Sequence, residues 1–230
     1  MIATDLLTRE QLRARLDELA QARYHHVHPF HLRMNAGELS ADEVRDWVLN
    51  RFYYQRMMPV KDAVVLSKLP GPVERRAWLE RIVEQDGTER DEGGLELWLR
   101  LGDAVGLERS VMSDPARLAP GTRFAVDAYV NFCRQATWQE CVAASLTQIY
   151  APDAMEDRRS AFEHHYRWIK PEGLEYFRRH GSHAHRASTS ALDLLMPGLQ
   201  TRAAQEAAVA AFRLKCDVLW SLLDAVDAIR

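Results

Sequence analysis

The stretch Ser40-Ala41-Asp42-Glu43-Val44-Arg45-Asp46-Trp47-Val48-Leu49-Asn50-Arg51-Phe52-Tyr53-Tyr54-Gln55 decides the fold class. Ser40 followed three residues later by Glu43 is a capping box, in which each side chain satisfies the other's backbone N–H at a helix start. Val44, Val48, Arg51 and Gln55 then recur at i, i+4, i+7 and i+11, the spacing of one helical face. Thr8 to Gln11 repeats the box ahead of Leu12, Leu16 and Leu19. Thr137 to Glu140 opens a third helix, expected to end near Ala151-Pro152.

Proline and glycine punctuate the rest. Pro59 predicts a break, with a second segment from Val60 to Leu69. Helices are expected after Pro72, from Leu95 to Val105 with Gly106 at the C-cap, after Pro120-Gly121, from Asp153 to Tyr166, and from Pro171 to about Leu195. Thr201 caps a long last helix. Strand signals are scarce: no alternating β-branched run is flanked by turn residues, and no hairpin dipeptide joins two such runs. With no linker, repeat or shift of composition, the expectation is one all-α domain over residues 1–230.

Thirty basic against 33 acidic residues give a formal charge of −3, so no basic excess drives counterion release and no nucleic-acid partner is expected. No stretch approaches the roughly 18 apolar residues of a membrane span, so no membrane is expected either. The first five residues hold neither a basic nor an apolar export region, which points to a cytoplasmic location. Cys133, Cys141 and Cys216 form no CxxC pair, which leaves reduced, buried thiols as the ordinary reading and catalytic thiols as the other.

Polar residues on apolar faces are the informative anomaly. Arg51 and Gln55 continue the Val44 and Val48 stripe, Arg81 and Gln85 lie beside Trp78 and Ile82, and Lys215 interrupts Phe212, Leu219, Leu222 and Val226. Arg158 follows Pro152 closely, and Tyr176 and His180 are one turn apart. Each cation alone reads as a salt bridge or a stem snorkelling outward. As a set drawn from different helices they point to a pocket for an anionic small molecule. The histidines of Tyr24-His25-His26-Val27-His28-Pro29-Phe30-His31 suit capping and packing or ligand binding. A metal is not expected there, since Pro29 denies the cluster a regular helix and no Glu-x-x-His pair occurs. His180, His183 and His185 make a weaker second cluster.

These residues, taken with their neighbours, resemble a known family. The strings Tyr24-His25 with His28-Pro29-Phe30-His31, Asn50-Arg51-Phe52-Tyr53-Tyr54-Gln55, Pro59-Val60-Lys61-Asp62-Ala63, Asp86-Gly87, Glu92-Gly93-Gly94 and Trp98-Leu99 are similar to the pyrroloquinoline quinone synthase (PqqC) family. So are Arg123-Phe124-Ala125-Val126-Asp127-Ala128-Tyr129, Ala144-Ser145-Leu146-Thr147, Ala151-Pro152 and Lys215 with Leu219-Trp220 and Leu223-Asp224-Ala225. The resemblance runs in order along nearly the whole chain. It implies a heme-oxygenase-like bundle of about seven helices, a homodimer, and chemistry without a metal or organic cofactor. The implied reaction closes the last ring of a quinone precursor and oxidises it with molecular oxygen, releasing hydrogen peroxide and the tricarboxylated quinone. Carried over by position, Tyr24, Arg51, Gln55, Lys61, Arg81, Tyr129, Arg158 and Lys215 would hold the substrate, an aromatic polycarboxylate. Tyr176, Gln85, Gln148, His25 and His180 would stand nearest the chemistry, with Tyr176 near oxygen.

The departures from the family pattern lie among those positions. Gln85 stands where the family has His before Asp-Gly, Gln148 where it has Glu, Met155 where it has His, and His180 where it has a second cation. Groups that titrate near neutral pH have given way to an amide or a thioether at the first three. Other readings are therefore a paralogue oxidising another aromatic carboxylate, a non-catalytic quinone carrier or sensor, and a metal-binding relative, which Gln148 opposes.

Overall fold

All three capping boxes form. Thr8, Ser40 and Thr137 each accept a hydrogen bond from the backbone N–H three residues on, and the side chains of Gln11, Glu43 and Glu140 each accept one from the backbone N–H of the cap. The computed structural model describes residues 6–179 and 191–229. Its helices are α1 (Arg9–Arg23), α2 (Pro29–Asn35), α3 (Ala41–Lys68), α4 (Pro72–Asp86), α5 (Gly94–Ala104), α6 (Arg109–Ser113), α7 (Pro120–Gln135), α8 (Trp138–Ser145), α9 (Ala151–His165) and α10 (Arg202–Asp227). Residues 175–179 and 191–195 are also helical, and no strand occurs among the described residues. The all-α expectation holds, but the elements number about eleven rather than seven. The surplus comes from short pieces such as α2 and α6, which proline, glycine and polar caps separate from the long helices.

Three boundaries differ from the sequence reading. Helix α3 runs unbroken through Pro59 for 28 residues. A proline inside a helix deprives the carbonyl four residues back of its donor, a cost of about 3 kcal/mol in an isolated helix. Here Met58, Pro59, Lys61, Asp62 and Val65 are all buried, and α3 packs on α4, α5 and α7, so tertiary burial overrides the local penalty. Helix α8 ends early, at Ser145, and tightens into the 3₁₀ segment Leu146–Tyr150 before α9 begins. The segment expected from Pro171 likewise starts as a 3₁₀ turn, Pro171–Leu174. Its middle, with His180, His183 and His185, lies outside the described residues.

The long helices α3 and α10 carry the core. Helix α10 packs on α1, α7 and α8, while α5 closes over α3. Trp98 of α5 donates from its indole N–H to the Val48 carbonyl at 2.9 Å and packs against Trp47, ring centres 5.4 Å apart. Gly87 ends α4 with φ of 80°, and a Cβ there would lie 2.5 Å from the Gly93 nitrogen. That close approach closes the turn that leads from α4 into α5. No described helix is long and apolar enough to cross a membrane.

Because Ser40 anchors the helix with the most buried residues among those described, Ser40→Ala is expected to cost about 1 kcal/mol of stability. Urea denaturation of the variant beside the parent measures it, with m unchanged.

Candidate active site

One stripe of α3 builds a wall. Arg51, Gln55, Met58 and Asp62 follow at i, i+4, i+7 and i+11 and all line an internal cavity of about 820 Å³ including its mouth. Helix α4 adds Arg81, Glu84 and Gln85, and the turn into α9 adds Thr147 and Gln148. Met155 and Arg158 come from α9, Tyr24 and His25 from the end of α1 and the 3₁₀ turn after it, and Leu219 from α10. Tyr54 and Tyr176 complete the lining.

Most residues expected in the site therefore meet: Tyr24, His25, Arg51, Gln55, Arg81, Gln85, Gln148, Arg158 and Tyr176 share one cavity. Lys61, Tyr129 and Lys215 stand one layer behind it. Lys215 donates to the Tyr54 hydroxyl at 2.8 Å, with its ammonium 3.7 Å from the Tyr129 ring centre. Lys61 pairs with Asp62 and reaches Ser145, which in turn lies 3.5 Å from the Tyr129 hydroxyl. His180 lies outside the described residues. Tyr54, Asp62 and Glu84 escaped the sequence reading. Asp62 continues the Arg51 stripe, and assuming a break at Pro59 hid that continuity.

The electrostatics are lopsided. Arg51, Arg81 and Arg158 are 8%, 6% and 4% exposed, and Lys61 and Lys215 are each 2% exposed. Among the described residues Asp62 is the only fully buried carboxylate near them, bonded to Lys61 and 3.5 Å from Arg81. Arg51 has no carboxylate within salt-bridge distance among the described residues, and its guanidinium stacks 4.0 Å from the centre of Tyr54. Nε and Nη2 of Arg81 and Nε of Arg158 are buried without a hydrogen-bond partner. Burial, and then the neighbouring Arg51, lower Arg158 to about 10. Burial, and then Lys61 and Arg51, push Lys215 well below its usual value. Unmet buried donors of this kind cost on the order of 1–3 kcal/mol each, and more when charged. A polyanion would supply the missing acceptors.

The histidines of the first cluster divide their work. His28 caps α2, its Nδ1 accepting from the Phe30 N–H at 3.0 Å, so Nε2 carries the proton and faces Asp224 at 3.0 Å. That realises the capping alternative. His31 faces the His25 carbonyl through Nδ1 at 2.8 Å, which must be its N–H, leaving Nε2 as the acceptor 3.3 Å from Arg158. A neutral imidazole thus holds the guanidinium. His25 stands on the cavity wall with Nδ1 unbonded. Burial lowers both His25 and His31 well below the usual value, helped for His25 by His31 and for His31 by Arg158. No group of three potential metal ligands occurs among the described residues.

Tyr176 has a built seat. Its ring meets Trp98 edge-on with centres 4.7 Å apart, and its hydroxyl accepts from Gln55 Nε2 at 2.8 Å. Gln85 donates to Gln55 at 3.3 Å, so one amide chain orients the phenol. Burial raises the Tyr176 pKa, which keeps it a proton-bearing donor at neutral pH. Gln85, Gln148 and Met155, the positions that depart from the family pattern, all face the same space. The cavity offers phenols, amides and cations, and few groups that titrate near neutrality.

The TENA/THI-4/PQQC family model matches residues 13–225, and the chain belongs to that family. It is 43% identical over 221 residues to the pyrroloquinoline-quinone synthase of Cronobacter sakazakii, covering 96% of this chain and 88% of that one. The same-named protein of Pseudomonas aeruginosa is 45% identical over 208 residues, 90% of this chain and 83% of that one. Among solved structures, a TenA homologue from Pseudomonas syringae superposes with a TM-score of 0.76 at 14% identity, over 98% of this chain and 97% of that one. A domain with a heme oxygenase-like fold from Shewanella denitrificans gives 0.75 at 13%, over 96% and 93%. At such identities these two likenesses establish the fold, as the sequence resemblance implied.

A depressed histidine pKa means that the unfolded chain binds more protons than the folded one below about pH 6.5. Stability contributed by neutral His25 and His31 is therefore complete above that pH and is lost as pH falls towards their folded values. Each contributes a slope approaching 1.4 kcal/mol per pH unit in that window, a magnitude set by 2.303RT. Chemical denaturation between pH 7.5 and 5.5 is expected to lose stability more steeply in the parent than in a His25→Asn, His31→Asn double variant.

Proposed function

We propose that this member of the TENA/THI-4/PQQC family is an oxidoreductase of the pyrroloquinoline-quinone synthase type. It would close and oxidise a carboxylated quinone precursor with molecular oxygen, releasing hydrogen peroxide. The observation that carries the reading is the excess of buried cation over carboxylate around one cavity: Arg51, Arg81 and Arg158 on the wall, Lys61 and Lys215 behind it. A flat aromatic ligand with several carboxylates matches both the unmet donors and the Tyr24, Tyr54 and Tyr176 rings around them. No resident metal or organic cofactor enters the proposal.

The residues would divide the work by their protonation. Arg51 and Arg158, lacking carboxylate partners among the described residues, would take substrate carboxylates. Arg81 offers its unbonded Nη2 to a third or to a quinone oxygen, while Asp62 holds it through Nε, 3.5 Å away. Tyr176, oriented by Gln55 and kept protonated by burial, would donate to reduced oxygen. Substrate oxidation must also release protons. His25, on the wall with Nδ1 unbonded, would relay one, its lowered pKa making it a weak and transient holder of that proton.

Gln85, Gln148 and Met155 favour a second reading. With no titratable group at these three positions, the cavity would bind the quinone tightly and turn over slowly or not at all, as a carrier or sensor. Aerobic mixing with the ring-open precursor separates the two. Oxygen uptake with peroxide and the tricyclic product supports the synthase, tight binding without oxygen uptake supports the carrier, and neither event sinks both. The homodimer implied by the resemblance would bury the exposed Phe124 and Leu214 on the α7 and α10 surface.

Arg51→Ala and Arg158→Ala are each expected to weaken binding of the tricarboxylated quinone by about 1.5–3 kcal/mol, on the order of 10- to 150-fold. Calorimetry against the exposed-site control Arg117→Ala checks this, and unchanged affinity in both variants removes the polyanion pocket. Replacing Gln85 by His and Gln148 by Glu together is expected to raise turnover with little change in affinity.

A further inference from the structure

Asp62 is out of place on a wall that would hold a polyanion. It lines the cavity with Arg51, Arg81 and Arg158 and is 3% exposed. Its Oδ1 meets two cations, the Lys61 ammonium and, at 3.5 Å, Nε of Arg81. The unbroken course of α3 puts it there. Arg51, Gln55, Met58 and Asp62 share one stripe, so the helix that turns Arg51 inward turns this carboxylate inward too. Lys61, one residue earlier, is rotated by roughly 100° and stands behind the wall. Its ammonium lies 5.6 Å from the Trp78 ring centre and 5.8 Å from that of Tyr129. Arg81 covers the same indole, 4.5 Å from its centre.

A carboxylate in that position does three things. It cancels the charge of Lys61 before that charge reaches the cavity. It holds Arg81 through Nε, which leaves Nη2, buried without a partner, for a ligand. It also repels any ligand carboxylate that approaches it, in a site where low polarity leaves charges poorly screened. Glu84, the other acidic residue of the lining, is only half-buried and also faces an outer groove beside Leu79 and Val83, where solvent screens it. Asp62 thus lowers by one the positive charge that a ligand meets.

We propose that Asp62 is a specificity-determining residue: it limits the ligand of this cavity to one carboxylate for each wall arginine and disfavours a fourth. The inference rests on the polyanion reading above and adds a charge count to it. Removing the Asp62 charge exposes the ligand to Lys61, so a fourth carboxylate gains a cation and loses a repelling neighbour. Removing the Lys61 charge leaves Asp62 to Arg81 alone, and the cavity then balances one carboxylate fewer. A counter-ion needed only for folding would instead weaken every ligand by the same factor.

Isophthalate, trimesate and pyromellitate carry two, three and four carboxylates on one benzene ring. Their affinities are measured by calorimetry at neutral pH and fixed ionic strength in the full chain, Asp62→Asn, Lys61→Met and the double variant. The parent is expected to bind trimesate most tightly. In Asp62→Asn the affinity of pyromellitate relative to trimesate is expected to rise on the order of tenfold. In Lys61→Met the affinity of trimesate relative to isophthalate is expected to fall by a similar factor. The Asp62 step is read again between Lys61→Met and the double variant, so an unfolded Asp62→Asn does not remove the test. An unchanged ratio in the folded comparisons makes Asp62 a structural counter-ion and overturns the inference, as does a parent that prefers pyromellitate; either result leaves the pocket standing. A parent that binds none of the three overturns it too, and binding of the tricarboxylated quinone then tells whether the polyanion pocket falls with it.

Discussion

The central constraint is the burial of five cations around one cavity with too little carboxylate to balance them. Asp62 answers for Lys61 and in part for Arg81. The others rely on weaker means. Arg51 lies on Tyr54, Arg158 lies over Trp47 and Phe177, and the Lys215 ammonium sits between the rings of Tyr54 and Tyr129. Ring faces give a cation about 0.5–2 kcal/mol, less than the desolvation they offset. The remaining deficit has to be carried by the scaffold, and α3 and α10 do so by burying apolar residues along most of their length. Residues that weaken the fold when the cavity is empty become its affinity when a polyanion enters.

Proton inventory follows from the same burial. Burial and neighbouring positive charge keep His25 and His31 neutral, while burial, against the opposing pull of Arg51, keeps the phenols of Tyr24, Tyr54 and Tyr176 protonated. Neutral His31 is useful because it is uncharged: an imidazolium beside Arg158 would repel the guanidinium that its free nitrogen now holds. Gln85 and Gln148 belong to this pattern. At Gln148 an amide in place of a carboxylate would remove a competitor for the guanidiniums, and at Gln85 an amide in place of an imidazole would withhold a base from the ligand. Binding strength and proton transfer are traded against each other by the same wall positions.

Much of this was legible in the residues. The capping boxes place α1, α3 and α8 at their starts, and the stripe from Val44 to Gln55 correctly turns Arg51 and Gln55 inward. What stayed hidden depended on long-range packing. Pro59 breaks an isolated helix but not one buried on several sides, and reading a break there concealed Asp62, the main counter-ion. The division of labour among His25, His28 and His31 depends on which carbonyl or N–H lies opposite each ring nitrogen, which spacing does not reveal. Lys215 was rightly placed inward, but helical phase cannot distinguish a wall from the layer behind it, and Tyr54 stands between.

That second layer gives the site its rigidity. A guanidinium on the cavity wall finds its ligand only if its stem is held, and the holding groups here are Asp62, His31 and Tyr54 rather than solvent. Behind them Lys61, Ser145, Tyr129 and Lys215 form a polar layer in contact with one another, and Lys215 holds the Tyr54 hydroxyl of the wall. Because these groups are close-packed, they can shift only together, and the stems of the three arginines are held as one set.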